Sequence, residues 1–181
     1  MQENFDVHKY INYYFNHTYN VVLAWKDIQL CLIENMIIDE EEFNKINFLI
    51  IWHDNSKISK EEFFGYGLKF FPLDKSEKNN ELFKEAWEHH KNNNLHHHQR
   101  LKNYQGKDKK CYLIEMICDW IAMGWETGSL AQEYYELNKD KIDLLYEDKR
   151  FIDDIFILID KSGCLSNHKV TDSEKAFLYF K

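Results

Sequence analysis

A chain of 181 residues is long enough to bury a core as one domain. Its composition, 44% hydrophobic and 16% aromatic, excludes a disordered chain, and a formal charge of −8 argues against broad nucleic-acid binding, which needs a basic face. One proline and six glycines leave few breakers, which favours helices over a β-sandwich or barrel.

In chain order, the first predicted element is a long helix from Asp6, a candidate N-cap, to Glu34. Tyr10, Tyr14, His17, Val21, Ala24 and Ile28 recur at spacings of three and four and share one face. A second helix begins near Asp39, with the acidic run 40–42 at its positive end, and continues through "FNKINFLIIWHD". Ser59 with Glu62 reads as a capping box for the helix "KEEFFGYGLKFF", and Pro72 lies in the loop beyond it. "NNELFKEAWEHHK" is amphipathic and ends at the "NNN" run, where asparagine is tolerated. After the polar "YQGKDKK" turn, "CYLIEMICDWIAMGWETG" is the most apolar helix, closed by Gly128. The stretch 129–161 supplies one or two more helices. Within it "FIDDIFILID" has strand-like content but a helical context. "TDSEKAFLYFK" reads as a short terminal helix. These elements predict an all-α single domain over 1–181 with six or seven helices, residues 160–181 forming a loosely attached tail.

Cys31, Cys111, Cys118 and Cys164 form no C-x-x-C pair, and "MQENFDVHKY" lacks the pattern of a secretory signal. Apolar runs such as "FLIIW" are too short to span a bilayer. The expectation is a cytoplasmic protein with free thiols and no membrane partner.

Several polar residues occupy positions that local patterning does not explain. His53-Asp54 ends a strongly apolar helix; such a dipeptide is often simply solvated, but it also offers a neutral nitrogen and a hard oxygen to a metal. His17 falls on the inward face of the first helix, as a hydrogen-bonded core histidine or as a ligand. Asp119 stands amid apolar residues with Glu115 one turn earlier on the same face; either the two face inward and need a partner, a metal or a histidine, or with Glu126 they make a polar outer stripe. Lys57 is either an exposed lysine at a helix end or a phosphate-binding cation. Five of the nine histidines, His89, His90, His96, His97 and His98, crowd into "AWEHHKNNNLHHHQR". His89 points about 100° from His90 on a helix.

The order His17, His53-Asp54, a histidine-rich segment, then Asp119 resembles the HD superfamily of metal-dependent phosphohydrolases, whose pattern is H…HD…D in a helical domain. The resemblance implies that His17, His53, Asp54 and Asp119 hold a metal. It also implies that His90 and one of His96 or His97 hold a second ion, bridged by Asp54. "HDNSK" places Lys57 as the HD-x-x-K subset does, to bind a phosphate or position a water. There is no "GYP" block of the cyclic-di-GMP-specific members, and no Gly-rich phosphate loop. A narrower set of blocks, "HTYNV", "HDNSK", "FP", "AWEHHKNNNLHH" and "EMICDWIAMG", is similar to a family of small bacterial and phage proteins of unknown function, DUF5662, over His17 to Tyr135. That resemblance implies functional positions at His90, Asn94, His96 and His97, and makes His89 and His98 solvated extras.

The expected function is thus hydrolysis of a small phosphate-bearing substrate, a nucleotide or related phosphoester. The metal would be Mn, Fe, Co or Ni, with Mg also allowed; mixed imidazole and carboxylate ligands suit a transition ion better than calcium. Asp54, Lys57 and Glu115 are the expected catalytic groups, Glu115 by orienting a histidine or accepting a proton, with Lys57 and Asn94 binding substrate. A di-iron oxygenase and a non-enzymatic, metal-stabilised interaction module are the alternatives.

Overall fold

The computed structural model describes residues 5–74 and 78–166. Among them are eight α-helices and one 3-10 turn; outside these, extended pairing is confined to the isolated bridge Phe5–Pro72. The all-α expectation holds. The count exceeds six or seven because the four-residue α5 (His98–Leu101) stands as its own element and the stretch after Gly128 splits into α7 (Ala131–Asn138) and α8 (Tyr146–Ser162). "FIDDIFILID" is helical, within α8. The expected terminal helix "TDSEKAFLYFK" lies outside the described residues. Helix α8 runs to Ser162 and the Ser166 amide donates to the Asp27 carboxylate at 2.8 Å; the rest of the expected tail, from 167, lies outside the described residues.

The N-terminal helix α1 (Val7–Glu34) starts where expected: the Asp6 carboxylate accepts the Lys9 amide at 3.0 Å. Its buried stripe contains all six residues of the predicted face and adds Trp25, Cys31 and Leu32. Helix α2 (Glu40–Ile51) opens on a complete capping box between Asp39 and Glu42. It ends before the His-Asp pair rather than running through it. Asp54 sits in the left-handed region at φ 57°, which no helix continues, and a 3-10 turn (Asn55–Ile58) follows. At this break Asp54 is buried, 2% exposed.

Helix α3 (Lys60–Phe70) lies against α4 (Lys78–Asn93) at very close range. A β-carbon on Gly65 would stand 2.5 Å from the Ala86 β-carbon and 2.6 Å from the Leu82 carbonyl oxygen, so only glycine permits this approach. The predicted Ser59–Glu62 capping box is not formed. Glu62 is fully buried and its carboxylate accepts from two histidines of α4 instead, bonds that outweigh a cap contact.

Helix α6 (Lys109–Thr127) is the central element, with ten buried residues, and Gly128 closes it at φ 72°. It packs on α1, α2 and α7. The larger apolar cluster gathers around α1, α2, α6 and α8 through Ile28, Ile46, Ile117 and Ile155. A smaller one joins Phe5 and Tyr10 to Tyr66, Phe71 and Ala86. On α1, His17 stands between Tyr10 of the small cluster and Val21 of the large one. The cysteines are free, three of them buried. No helix among the described residues is long and apolar enough to cross a membrane.

Candidate metal centre

Four separate pieces of chain deliver the site: α1 brings His17, the turn after α2 brings His53 and Asp54, α4 and its following loop bring His90, His96 and His97, and α6 brings Glu115 and Asp119. All seven expected metal ligands converge. His17, His53, Asp54, His90 and His96 are each no more than 2% exposed.

Asp54 is the hub. Its Oδ2 lies 3.5 Å from His17 Nε2 and 3.6 Å from His53 Nε2, while its Oδ1 lies 3.2 Å from His90 Nε2 and 3.5 Å from His96 Nε2. Asp119 Oδ1 is 3.2 Å from His17 Nε2 and 3.8 Å from His53 Nε2. Two sets emerge, each with ligand atoms within 4.8 Å of one another: His17, His53 and Asp119 on one side, Asp54, His90, His96 and His97 on the other. Two ligands each about 2.1 Å from one ion stand about 3.0–3.4 Å apart at tetrahedral or octahedral angles. Most of the observed separations match that spacing or exceed it by a few tenths of an ångström.

The orientation of the imidazoles supports the same reading. His53 Nε2, His96 Nε2, His97 Nε2 and Asp54 Oδ1 are buried without a hydrogen-bond partner, a costly state that a shared ion would relieve. Meanwhile the opposite ring edges face carboxylates. His17 Nδ1 meets Glu126 at 3.0 Å, His90 Nδ1 meets Glu62 at 2.8 Å, and His53 and His96 Nδ1 both meet Glu115 Oε1, at 3.0 and 3.2 Å. Carboxylates placed this way fix the tautomer and ring direction of metal-ligating histidines. His53, His96 and Glu115 also form a compact group of their own. The short Nδ1 contacts identify it as this orienting contact rather than a third ion position.

The titration of the cluster follows from this crowding. Burial disfavours charge on His17, yet Asp119, Asp54 and Glu126 hold its pKa well above the usual histidine range. His53 is raised to about 9 against the same burial, by Asp54, Asp119 and Glu115. Asp54 is also disfavoured as an anion by burial, but Lys57, His53 and His90 keep it well below the usual range. His97 goes the other way, down to about 2, through burial and then the neighbouring His96 and His90. It is a neutral imidazole, the form that binds metal.

Lys57 is buried, not the exposed helix-end lysine that its context allowed. Its Nζ lies 2.6 Å from Asp54 Oδ2 and faces the rings of Tyr66 and Tyr13 at 5.5 and 6.0 Å. Burial opposes its charge, but Asp54 holds its pKa well above the usual value. Asn94 is not among the residues that line the cavity; its amide donates to Ser56 Oγ at 2.8 Å and to the His90 carbonyl at 2.8 Å, at the end of α4. Of the two extra histidines, His89 Nδ1 donates to Glu62 Oε1, 2.7 Å away, and half-buried His98 accepts from the Asp143 amide at 3.0 Å. Both are anchored rather than freely solvated, and neither belongs to the two ligand sets.

Sequence reasoning missed Glu62 and Glu126 as members of the site. Glu126 follows Asp119 by seven residues and so shares its helix face, a signal that was present. The stripe of Glu115, Asp119 and Glu126 points into the site, not outward. Glu62 carried no such signal, because its spacing from Ser59 fits a cap.

The ligand cluster forms the floor of a cavity of about 460 Å³. Tyr66, Phe70, Phe83 and Trp87 line it from α3 and α4, and Met116, Trp120, Met123 and Tyr134 from α6 and α7. His17, Asp54, Lys57, His90, His96, His97 and Asp119 all reach its surface, whereas His53 and Glu115 lie behind them.

No curated protein and no solved structure matches this chain. A family model described as a family of unknown function (DUF5662) matches residues 6–162, most of the chain and every residue of the site. The chain therefore belongs to the DUF5662 family.

Proposed function

We propose that this protein is a metal-dependent phosphohydrolase acting on a small phosphoester, of the kind found in the HD superfamily, in which Asp54 and the two sets of residues that face it would hold two ions. The observation that carries the proposal is the two-sided Asp54: each oxygen faces its own set of imidazole Nε2 atoms, at the floor of an open cavity. The order H…HD…D adds to it. His17, His53, Asp54 and Asp119 would hold one ion, and Asp54, His90, His96 and His97 the other. Mixed nitrogen and oxygen donors fit Mn, Fe, Co or Ni, with Mg allowed. When bound, such ions supply Lewis acidity, lowering the pKa of a coordinated water and polarising a phosphoryl oxygen.

The chain's own residues do the rest. Lys57 places a fixed ammonium beside Asp54 at the cavity floor, where a phosphoryl group carries its charge. Glu115, Glu62 and Glu126 do not touch substrate in this arrangement; they are positioning residues that hold the imidazoles in register. Asn94 acts on the backbone instead, fixing the end of α4 through the His90 carbonyl and Ser56 Oγ. In the reaction, water oxygen bonds to phosphorus, the ester P–O bond breaks, and a water proton ends on the leaving alcohol.

The test is metal analysis followed by turnover. Purified protein reconstituted with Mn²⁺ should carry about two ions per chain and release phosphate from members of a phosphoester panel. Asp54→Ala should abolish both metal binding and turnover. Full metal loading with no phosphate released from any ester would overturn the enzymatic reading. The same ligand set suits a di-iron oxygenase, which iron-dependent oxygen uptake would reveal. A site buried across four chain segments also suits a purely structural metal, in which case chelation melts the fold and no turnover is ever found.

A further inference from the structure

We infer that the cavity selects phosphomonoesters in which a single phosphoryl group is carried by a flat aromatic or heteroaromatic ring system. The inference rests on the phosphohydrolase reading for its phosphate end, and on the walls of the cavity for the remainder.

The first observation is charge. Among the described residues that line the cavity, Lys57 is the only lysine or arginine, and its Nζ is already 2.6 Å from Asp54. Asp54 and Asp119 add negative charge to the same floor, which the ions of the proposed site would offset at that point only, and the chain as a whole carries −8. Each further phosphate on a substrate brings more negative charge and needs fixed cations or a cradle of amides to receive it. Apart from the ligand histidines, the uncharged polar groups at the surface of the cavity include Gln99, Thr127 and Ser129. One phosphoryl group can be neutralised at the floor; a second or third would extend into a wall that carries no fixed cation among its described residues.

The second observation is the wall chemistry. Phe70, Phe83 and Trp87 come from one helix pair, and Trp120 and Tyr134 from another. The rings are held by their own contacts: Phe70 meets Phe83 edge-on at 5.2 Å, Trp87 stacks on His90 at 5.8 Å, and Trp120 stacks on Tyr135 at 5.6 Å. A cavity of about 460 Å³ lined this way suits a rigid ring better than a hydrated polyol, whose hydroxyls would lose water without replacement. Preformed aromatic faces also gain stacking energy from a flat ring at little ordering cost.

The experiment uses the full chain loaded with Mn²⁺. Phosphate release is measured from adenosine 5′-monophosphate, 4-nitrophenyl phosphate, glycerol 3-phosphate and adenosine 5′-triphosphate. The expected kcat/KM for at least one ring monoester exceeds that for glycerol 3-phosphate and for the triphosphate by about tenfold, equivalent to about 1.4 kcal/mol. The two ring monoesters separate a nucleotide from a simple aryl ester. Tyr134→Ala, at a half-exposed wall position, should cut the ring-over-glycerol selectivity several-fold, and Phe83→Leu on the other wall should do the same if Tyr134→Ala fails to fold. Equal or better turnover of glycerol 3-phosphate or of the triphosphate overturns the inference and leaves the phosphohydrolase reading standing. Calorimetric binding separates the two readings further. Tighter binding of adenosine 5′-monophosphate than of the triphosphate or glycerol 3-phosphate, without turnover of any ester, keeps the ligand class and overturns hydrolysis. Neither binding nor turnover overturns both.

Discussion

Replacing Glu62 by glutamine tests whether the buried carboxylates behind the histidines belong to the metal site. Glu62 is fully buried and accepts from His90 Nδ1 at 2.8 Å and His89 Nδ1 at 2.7 Å. Burial works against its charge, but the two histidines hold its pKa below the usual range, so it is an anion at neutral pH. Charge-assisted bonds contribute about 1.5–3 kcal/mol each. Glutamine keeps the volume and one acceptor oxygen but loses the charge, and its amide nitrogen cannot accept from the second ring. The expected loss of stability is therefore about 2–3 kcal/mol, a large share of a domain's usual 5–15 kcal/mol. His90 also loses the partner that fixes its ring, and the second ion should bind about 10–100-fold more weakly. The assay is a Mn²⁺ titration by calorimetry, with thermal melts before and after chelation. Glu61→Gln, on the exposed neighbouring residue, serves as the control. If Glu62→Gln binds two ions as tightly as the control and loses only stability, Glu62 is a packing residue and the reasoning about histidine orientation is wrong.

The pH dependence of the chelated protein should have a definite sign. His53 is raised to about 9 and His17 also upward, so their stabilising protons are fully in place below the unfolded value of about 6.5 and are lost as pH rises through about 9. Tm without metal should fall over that window, whereas Mn²⁺ affinity should rise because the ion replaces those protons; a metal-free Tm that climbs from about pH 6.5 to about pH 9 would contradict this. His97, depressed to about 2, works in the opposite direction, costing stability as pH falls below about 6.5. Gly65→Ala drives a β-carbon into Leu82 and Ala86, so α4 must shift; a loss of about 1–3 kcal/mol is expected, with weaker metal binding because His90 moves with α4. Wild-type melting and metal affinity for this variant would show that the α3–α4 contact does not set the site. Lys57→Met removes the buried ammonium beside Asp54; phosphate release should fall by about 10²–10³ with metal content retained, as for loss of one electrostatic stabiliser. Unchanged kcat with lower metal occupancy would assign Lys57 to metal-site assembly instead.

Much of this protein was legible along the chain. Low glycine and proline content, three- and four-residue spacing of apolar positions, and caps at Asp6, Asp39 and Gly128 were enough for the all-helical class and for most helix bounds, because these are local properties of a 3.6-residue repeat. The same repeat placed His17 on a buried face and Glu115 and Asp119 on a common one. It could not say which way that common face turns. The direction was decided by contacts between groups far apart in sequence, such as His17 with Glu126 and His53 with Glu115, 109 and 62 residues apart. Nor could it place Asp54 outside α2: the left-handed φ that aims this carboxylate is held by what surrounds it, Lys57 and four imidazoles. Glu62 shows the same limit from the other side. Its local pattern favours a helix cap, yet a fully buried carboxylate beside two histidines gains more there than at an exposed helix end. The sequence by itself determined which helices form and which residue types were available to a site; only tertiary packing decided which of them meet, because burial multiplies the strength of contacts that no local pattern encodes.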